Sequence, residues 1–233
     1  MPSIVFPAIA FFDVDRTLMD GYSGYYTTLL LIKKKVMKKR RLLQALFYKA
    51  ISNFCPVDLK KIYEIACMDM NGMLLDEVLK IGEECFQQDI KPRLYQEAIA
   101  KIQEHKRKGD LTYLVTSAPY MTVAHLAHFL QVDGYFSAGP VIDYTKNPVG
   151  ILRREVQTPL YYREGKVIAA EEVSAKHKIS LQNCYYYADS IDDVFLFEKV
   201  GHPCLVNPDG KIKKIAKQKG WPVLRFQKTL GDL

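Results

Sequence analysis

The sequence predicts an α/β fold in which a mostly parallel, doubly wound sheet of the Rossmann-like type carries an inserted, all-helical cap. Short runs rich in β-branched and aromatic residues recur along the 233-residue chain. Segments with helical periodicity separate most of these runs, and such alternation is typical of a parallel sheet with helices on both faces. The stretch after the first predicted strand is too long for a simple crossover, so we interpret it as an insert.

The first predicted strand covers residues 4–12, and two carboxylates follow it directly. This run consists mostly of Val, Ile, Ala and Phe residues, as expected for a buried strand. Asp13 and Asp15 then stand at its carboxyl end, where open α/β sheets bind ligands. Carboxylates this close together repel one another unless a cation or a reaction uses them. The pentapeptide DVDRT, residues 13–17, is therefore the first candidate site.

Residues 22–108 are predicted to be helical. Apolar residues at positions 74, 78, 81 and 85 recur at helical spacing and mark one face of a helix. Pro92 suits the first turn of the next helix, which ends before Gly109.

The second half of the chain returns to short strands separated by helices. Residues 134–163 contain Gly-Pro and Asn-Pro pairs among β-branched and aromatic residues, which predicts irregular hairpin structure. The other predicted strands are 111–115, 184–188, 204–206 and an edge strand at 223–226. The predicted helices are 121–130, 166–177, 192–200 and 209–219.

Polar side chains also follow two of the later strands. Thr116 and Ser117 end one, Asp189 and Asp193 follow another, and Lys166 begins a predicted helix between them. Phosphoryl transfer needs a nucleophile in line with phosphorus and positive charge against the phosphoryl oxygens. Mg²⁺ favours carboxylate oxygens as ligands. If these strand ends meet at one edge of the sheet, they supply the groups that this chemistry needs.

These motifs resemble those of the haloacid dehalogenase superfamily, in its phosphoserine-phosphatase-like branch. Four motifs occur in the order found there: DVDRT at 13–17, Thr116, Lys166, and DSIDD at 189–193. Residues 92–109 and 200–224 also look like this branch, so the resemblance covers nearly the whole chain.

The resemblance implies a role for each carboxylate. Asp13 would be the nucleophile and would form an aspartyl-phosphate. Asp15 would protonate the leaving oxygen and then activate water. Mg²⁺ would be bound by Asp13, by the backbone carbonyl of Asp15 and by Asp189, with Asp193 acting through the waters around the metal.

The resemblance also implies the phosphate-binding groups and the domains. Thr116, Ser117 and Lys166 would hold the phosphoryl group. The inserted cap would close over the site and exclude water. The predicted division is a core domain of residues 1–18 and 106–233 and a helical cap domain of residues 19–105.

The sequence departs from this branch at two places that concern the substrate. Arg16 stands where a small residue is commoner, and it could reach the substrate or the cap, or merely cover the loop. Phosphoserine phosphatases carry a Glu nine residues after the nucleophile, where this chain has Tyr22. The Arg that reads the substrate carboxylate in those enzymes has no clear counterpart in residues 60–72. Both differences argue against phosphoserine itself.

The positive charge of the chain is local. Seven of the 33 Lys and Arg residues lie in residues 33–41, and the other 26 balance 26 acidic residues. The run could be a solvated face of the cap, or, with the apolar residues that flank it, a peripheral membrane surface. We do not expect nucleic-acid binding, because the run lacks interleaved aromatic residues for stacking.

Five scattered cysteines without a C-x-x-C pair predict reduced thiols and a cytoplasmic location. Neither a secretory signal nor a membrane-spanning run is indicated.

Three functions agree with these features. The first is a Mg²⁺-dependent phosphatase that acts on a phosphate monoester of a small metabolite. The second is a membrane-associated lipid-phosphate phosphatase with the same chemistry, and the third is a binding protein with a vestigial site. The sequence leaves the substrate and the oligomeric state open.

Overall fold

A computed structural model describes residues 8–51 and 59–232 of the chain, and a parallel sheet lies at its centre. The strands are β1 (Ile9–Phe12), β2 (Leu111–Pro119), β3 (Gly134–Ala138), β4 (Pro140–Asp143), β5 (Ile151–Val156), β6 (Cys184–Ala188), β7 (His202–Val206) and β8 (Val223–Leu224). Six of them form a sheet in the order β3-β2-β1-β6-β7-β8, in which every pair is parallel. The predicted α/β fold with a mostly parallel sheet is confirmed.

β1 lies between β2 and β6, and its four residues are buried. Phe12 pairs with Leu114 on one side and with Tyr187 on the other. Because the three strands are parallel and in this register, the residues that follow them meet at one edge of the sheet. Residues 4–7 of the predicted first strand lie outside the described part of the chain.

Nine α-helices occur in the described ranges, together with short 3-10 turns and one π-helical turn at Phe86–Ile90. Within those ranges, no helix is both long and apolar enough to cross a bilayer. The helices are α1 (Ser23–Lys33), α2 (Lys39–Ile51), α3 (Leu59–Cys67), α4 (Leu75–Cys85), α5 (Gln96–Lys108), α6 (Tyr120–Leu130), α7 (Glu164–His177), α8 (Val194–Phe197) and α9 (Gly210–Lys219).

Most predicted helices of the second half are confirmed to within two residues. The helix predicted at 192–200 is shorter, because a 3-10 turn at Ile191–Asp193 precedes α8. The helix predicted from Pro92 begins later, at Gln96, because Lys91–Arg93 forms a separate 3-10 turn. It ends as predicted, where Gly109 takes a left-handed conformation with φ of 81°.

The prediction for residues 134–163 is half wrong. β4 and β5 do form an antiparallel pair, but β3 joins the main sheet as a parallel edge strand beside β2. The reason is that α6 is long enough to return the chain along the sheet, as a parallel crossover requires. At the opposite edge, the strand predicted at 223–226 is reduced to β8.

Both faces of the sheet are covered, which confirms the doubly wound arrangement. On one face, Phe12 packs in a cluster with Ile102 of α5 and Leu126 of α6. On the other, Phe11 packs with Ala169 of α7 and Ile212 of α9. Of the cysteines, the four in the described ranges (Cys67, Cys85, Cys184 and Cys204) are free, whereas Cys55 lies outside those ranges.

A third apolar cluster joins helices α1 and α4 to the β4–β5 hairpin and to α6. Leu31, Val78, Met121 and Leu152 belong to it. Helices α1 to α4, with the turns that follow α1 and α3, are called the helical layer below. A backbone hydrogen bond fixes the hairpin to this layer, since Gly72 N donates to Leu152 O at 2.8 Å. The helical layer forms one wall of the candidate site. The exact division into core and cap domains stays a prediction.

Candidate active site

Asp13 and Asp15 lie where the first strand ends. The backbone N–H of Asp13 donates to Tyr187 O at 2.9 Å, so the pairing of β1 with β6 continues to the carboxylate. Asp13 is 7% exposed. Two residues on, Asp15 Oδ1 accepts a hydrogen bond of 2.8 Å from Ser23 N at the start of α1, where a helix favours negative charge. The loop thus links the sheet directly to the first helix of the helical layer.

Lys166 is the buried cation of the site. Its Nζ lies 3.0 Å from Asp13 Oδ1 and 2.6 Å from Asp193 Oδ1. Burial opposes the charge, but the two carboxylates outweigh it and raise the pKa of Lys166 above its ordinary value. The preceding Gly165 permits this placement, because a Cβ there would lie 1.8 Å from Leu160 O.

Asp13, Asp189 and Asp193 form a cluster of buried carboxylates. One oxygen from each lies within 4.8 Å of the others, which is close enough for a single metal ion to bridge them. Burial and the neighbouring charges of Asp13 and Asp193 raise the pKa of Asp189 to about 8, and burial raises that of Asp13. The cluster therefore favours binding of a further positive charge, a proton or a metal ion, beside Lys166. Its oxygen donors fit a hard cation such as Mg²⁺.

Asp15 differs from these three because its carboxylate turns to Ser23 and is not part of the cluster. Burial among protein atoms raises the pKa of Asp15 to about 6. A carboxyl group with such a pKa holds a proton on a useful fraction of molecules near neutral pH and can act as an acid and a base.

Thr116 and Ser117 lie in the second half of β2, next to the end of β1. Thr116 is buried, and its Oγ1 accepts a hydrogen bond of 3.1 Å from Ala118 N. Because that bond uses the oxygen as acceptor, the hydroxyl hydrogen can still be donated to a phosphate oxygen. Ser117 lines the same cavity as Asp13 and Lys166.

Arg16 contacts both the carboxylate cluster and the segment before α1. Its Nε lies 3.2 Å from Asp189 Oδ2, and its Nη1 donates to Tyr22 OH at 3.3 Å. The backbone of Arg16 is left-handed, with φ of 59°, which is uncommon for a residue with a Cβ. The side chain also lines the cavity, so it stands between the carboxylate cluster and Tyr22.

Two tyrosines belong to the site although the sequence did not single them out. Tyr186 OH lies between Lys166 and Asp193, accepting from the first at 3.1 Å and donating to the second. Tyr63 OH, from α3, donates to Ser117 O at 2.8 Å and ties the helical layer to β2. Three successive tyrosines in the predicted strand 184–188 indicated that a buried hydroxyl there needs a hydrogen-bond partner, which could have pointed to Tyr186. No pattern in the sequence indicated a role for Tyr63.

Most side chains of this site line one cavity of about 990 Å³, although Thr116 and Tyr186 are not among its lining residues. At one end are Asp13, Asp15, Lys166, Asp189 and Asp193. The helical layer and β5 form its other walls. This arrangement places a buried carboxylate, a second carboxyl group with a raised pKa and a buried ammonium around one space.

Comparison with known proteins gives consistent matches. Residues 10–198 match the family described as haloacid dehalogenase-like hydrolases. The chain is 26% identical over 230 residues to phosphoserine phosphatase SerB1 of Mycobacterium tuberculosis, covering 97% of this chain and 73% of that protein. It is 27% identical over 228 residues to a histidinol-phosphatase of Neisseria meningitidis, and the match covers 94% of this chain and 99% of that protein. A crystal structure of a protein of unknown function from Bordetella pertussis superimposes with a TM-score of 0.83 at 25% identity. The superposition covers 94% of this chain and 99% of that one.

Proposed function

The chain belongs to the family of haloacid dehalogenase-like hydrolases and is a phosphoric monoester hydrolase, and from this premise we propose that it works through an aspartyl-phosphate on Asp13. The observation that carries the proposal is the position of Asp13. Its carboxylate lies in the cavity, 3.0 Å from the ammonium of Lys166, with a second carboxyl group two residues further on. A carboxylate nucleophile needs such a neighbour to offset the charge of the approaching phosphate.

The proposed reaction has two steps. In the first, an Asp13 oxygen bonds to phosphorus, the bond from phosphorus to the alcohol oxygen breaks, and Asp15 gives its proton to that oxygen. In the second, Asp15 takes a proton from water, the water oxygen bonds to phosphorus, and phosphate leaves Asp13. Lys166, Thr116 and Ser117 hold the phosphoryl oxygens in both steps.

Mg²⁺ is the cofactor that we propose. Asp13 and Asp189 would bind it with the backbone carbonyl of Asp15, and it would supply positive charge against the phosphoryl oxygens. Asp193 already lies 2.6 Å from Lys166 Nζ, so its role includes orienting that ammonium.

The substrate that we propose is a small phosphorylated metabolite. The named relatives include a phosphoserine phosphatase and a histidinol-phosphatase, both of which are named for small phosphate esters. Phosphoserine is disfavoured here, since Tyr22 replaces the expected Glu. We also propose that the protein acts in the cytoplasm.

Hydrolysis of 4-nitrophenyl phosphate tests the catalytic assignment. Asp13→Asn should lower kcat by at least about 10³-fold, because the amide is not a nucleophile, and EDTA should abolish turnover until Mg²⁺ is restored. Asp76→Asn, which changes an exposed carboxylate of α4, is the matched control and should keep wild-type activity. Substantial turnover by folded Asp13→Asn would exclude Asp13 as the nucleophile.

Trapping the intermediate tests the same assignment independently. After mixing with ³²P-labelled 4-nitrophenyl phosphate and quenching in acid, wild-type protein should carry label that hydroxylamine removes. Asp13→Asn should carry none. Label of equal amount on both proteins would place the phosphoryl group elsewhere.

A specific surface favours a second candidate, a lipid-phosphate phosphatase that acts at membranes. The basic surface consists of exposed residues at the end of α1 and the start of α2: Lys33, Lys34, Lys35, Lys38, Lys39 and Arg40. On α2, Leu43 is 67% exposed and Phe47 64% exposed beside it. Basic residues near an anionic bilayer contribute about 1 kcal/mol each, so this surface favours anionic lipid.

Sedimentation with vesicles tests this second candidate. Wild type should sediment with phosphatidylserine-containing vesicles and not with phosphatidylcholine alone, and salt should release it. The variant K38Q/K39Q/R40Q should lose at least about tenfold in binding. K213Q/K214Q/K217Q removes three exposed charges from α9 and is the matched control. If the first variant sediments as wild type does, the membrane candidate is wrong.

A further inference from the structure

The cavity that contains Asp13 extends far beyond the space that a phosphoryl group needs. Its volume of about 990 Å³ lies at the upper end of the range for pockets that enclose whole drug-sized ligands. We infer that the alcohol released by this enzyme carries an extended apolar group, alkyl or aryl, which binds between the helical layer and β5. This substrate class rests on the proposed phosphatase function and makes it more specific.

The walls away from the carboxylates are apolar. Seven of the lining residues are large apolar side chains, each less than a tenth exposed, and they come from α1, α4, α6, β5 and the turns beside α1 and α3. They are Leu31, Met37, Met70, Leu75, Val78, Met121 and Leu152. Three of them are methionines, whose flexible side chains adapt to different apolar shapes.

The helical layer offers no ionic partner to a charged alcohol. Among the described residues of α1 to α4 that line the cavity, Arg41 is the one with a charged side chain. Arg41 is already paired, because its Nε and Nη2 donate to the two carboxylate oxygens of Asp69, each at 3.3 Å. An ammonium or carboxylate on the alcohol would lose its water here without a compensating partner.

Two hydroxyl groups of this wall are also engaged. Thr27 Oγ1 donates to Ser23 O at 2.8 Å, and Tyr63 OH donates to Ser117 O at 2.8 Å. Apart from Arg41 and Thr28, the part of the cavity that the helical layer lines therefore presents mainly methyl, methylene and aromatic surface, whereas the other charged lining groups belong to the strand ends and loops around Asp13. A phosphate monoester with an apolar body matches this division, with the phosphate at Lys166 and the body in the helical layer.

A homologous series of esters tests the inference. We would measure kcat/KM by phosphate release for ethyl, butyl, hexyl and octyl phosphate below their micellar concentrations, and for O-phosphoserine. Each buried methylene should raise kcat/KM by about fourfold up to the length of the cavity. O-phosphoserine should be a poorer substrate than butyl phosphate.

Two tryptophan variants on one helix locate the effect. Thr28 is partly exposed and lines the cavity, so Thr28→Trp should lower the ratio of kcat/KM for hexyl phosphate to that for ethyl phosphate by at least about tenfold. Leu29, its neighbour, is 40% exposed and does not line the cavity, so Leu29→Trp should leave this ratio unchanged.

The outcomes separate this inference from the function on which it rests. Rates that do not depend on chain length, a preference for O-phosphoserine, or an unchanged ratio in Thr28→Trp would each overturn the apolar substrate class while leaving the phosphatase intact. Failure to hydrolyse any ester, 4-nitrophenyl phosphate included, would overturn the proposed function and the substrate class together.

Discussion

Lys166 is the cation that balances the buried carboxylates, and Lys166→Met removes its charge while keeping most of its length. In the wild type, Nζ lies 3.0 Å from Asp13 Oδ1 and 2.6 Å from Asp193 Oδ1, and the side chain is 5% exposed. Methionine cannot donate to either carboxylate. We therefore expect the variant to lose stability as well as phosphatase activity.

The size of the loss follows from burial. Removing one member of a buried ion pair costs about 3–5 kcal/mol, because the remaining charge stays out of water without a partner. For a chain of this size, each kcal/mol lowers Tm by about 2–4 °C, so Tm should fall by about 6–20 °C. The matched control is Lys219→Met, since Lys219 Nζ lies 2.5 Å from Glu198 Oε1 but both side chains are nearly half exposed. That change should cost at most about 1 kcal/mol.

Urea unfolding followed by circular dichroism, at pH 7.5 in EDTA, measures these free energies. Adding Asp193→Asn to Lys166→Met should recover part of the loss, because one of the two unpaired carboxylates is then neutral. If Lys166→Met and Lys219→Met differ by less than about 1 kcal/mol, the reasoning from burial is refuted. A double variant no more stable than Lys166→Met would show that Asp193 is not the partner that matters.

Three further predictions concern stability. Burial lowers the pKa of His105 below its usual 6.5. Between these two pKa values, His105 is therefore protonated in the unfolded chain and neutral in the folded chain. The contribution of His105 to the free energy of unfolding should therefore fall by up to about 1.4 kcal/mol per pH unit as the pH drops below 6.5, and urea titrations should show it as a loss of stability of the wild type relative to His105→Gln with falling pH. Gly82→Ala would place a Cβ 2.1 Å from Met121 O; it should destabilise by about 1–3 kcal/mol in urea, and a more stable variant would contradict this packing. Tyr63→Phe removes the hydrogen bond to Ser117 O and should cost about 1 kcal/mol, whereas unchanged stability would show that the bond contributes nothing.

The basic run shows how far a local pattern reaches. The sequence shows the charge of this run, and it supports two interpretations, a solvated face and a membrane surface. The structure adds that Arg41 pairs with Asp69 while its six basic neighbours are exposed. Which partner a surface contacts depends on groups outside the chain, and a run of residues does not encode them.

The sequence by itself determined most of the sheet and the polar groups at its edge. Buried strands have a local composition, and parallel strands end at one edge, so Asp13, Thr116 and Asp189 could be brought together without a structure. Only the tertiary structure decided what surrounds them. That β3 joins the main sheet, that Tyr186 stands between Lys166 and Asp193, and that a large apolar cavity adjoins the carboxylates all follow from contacts between residues far apart in the chain. Periodicity records which face of an element is buried, but not which element buries it.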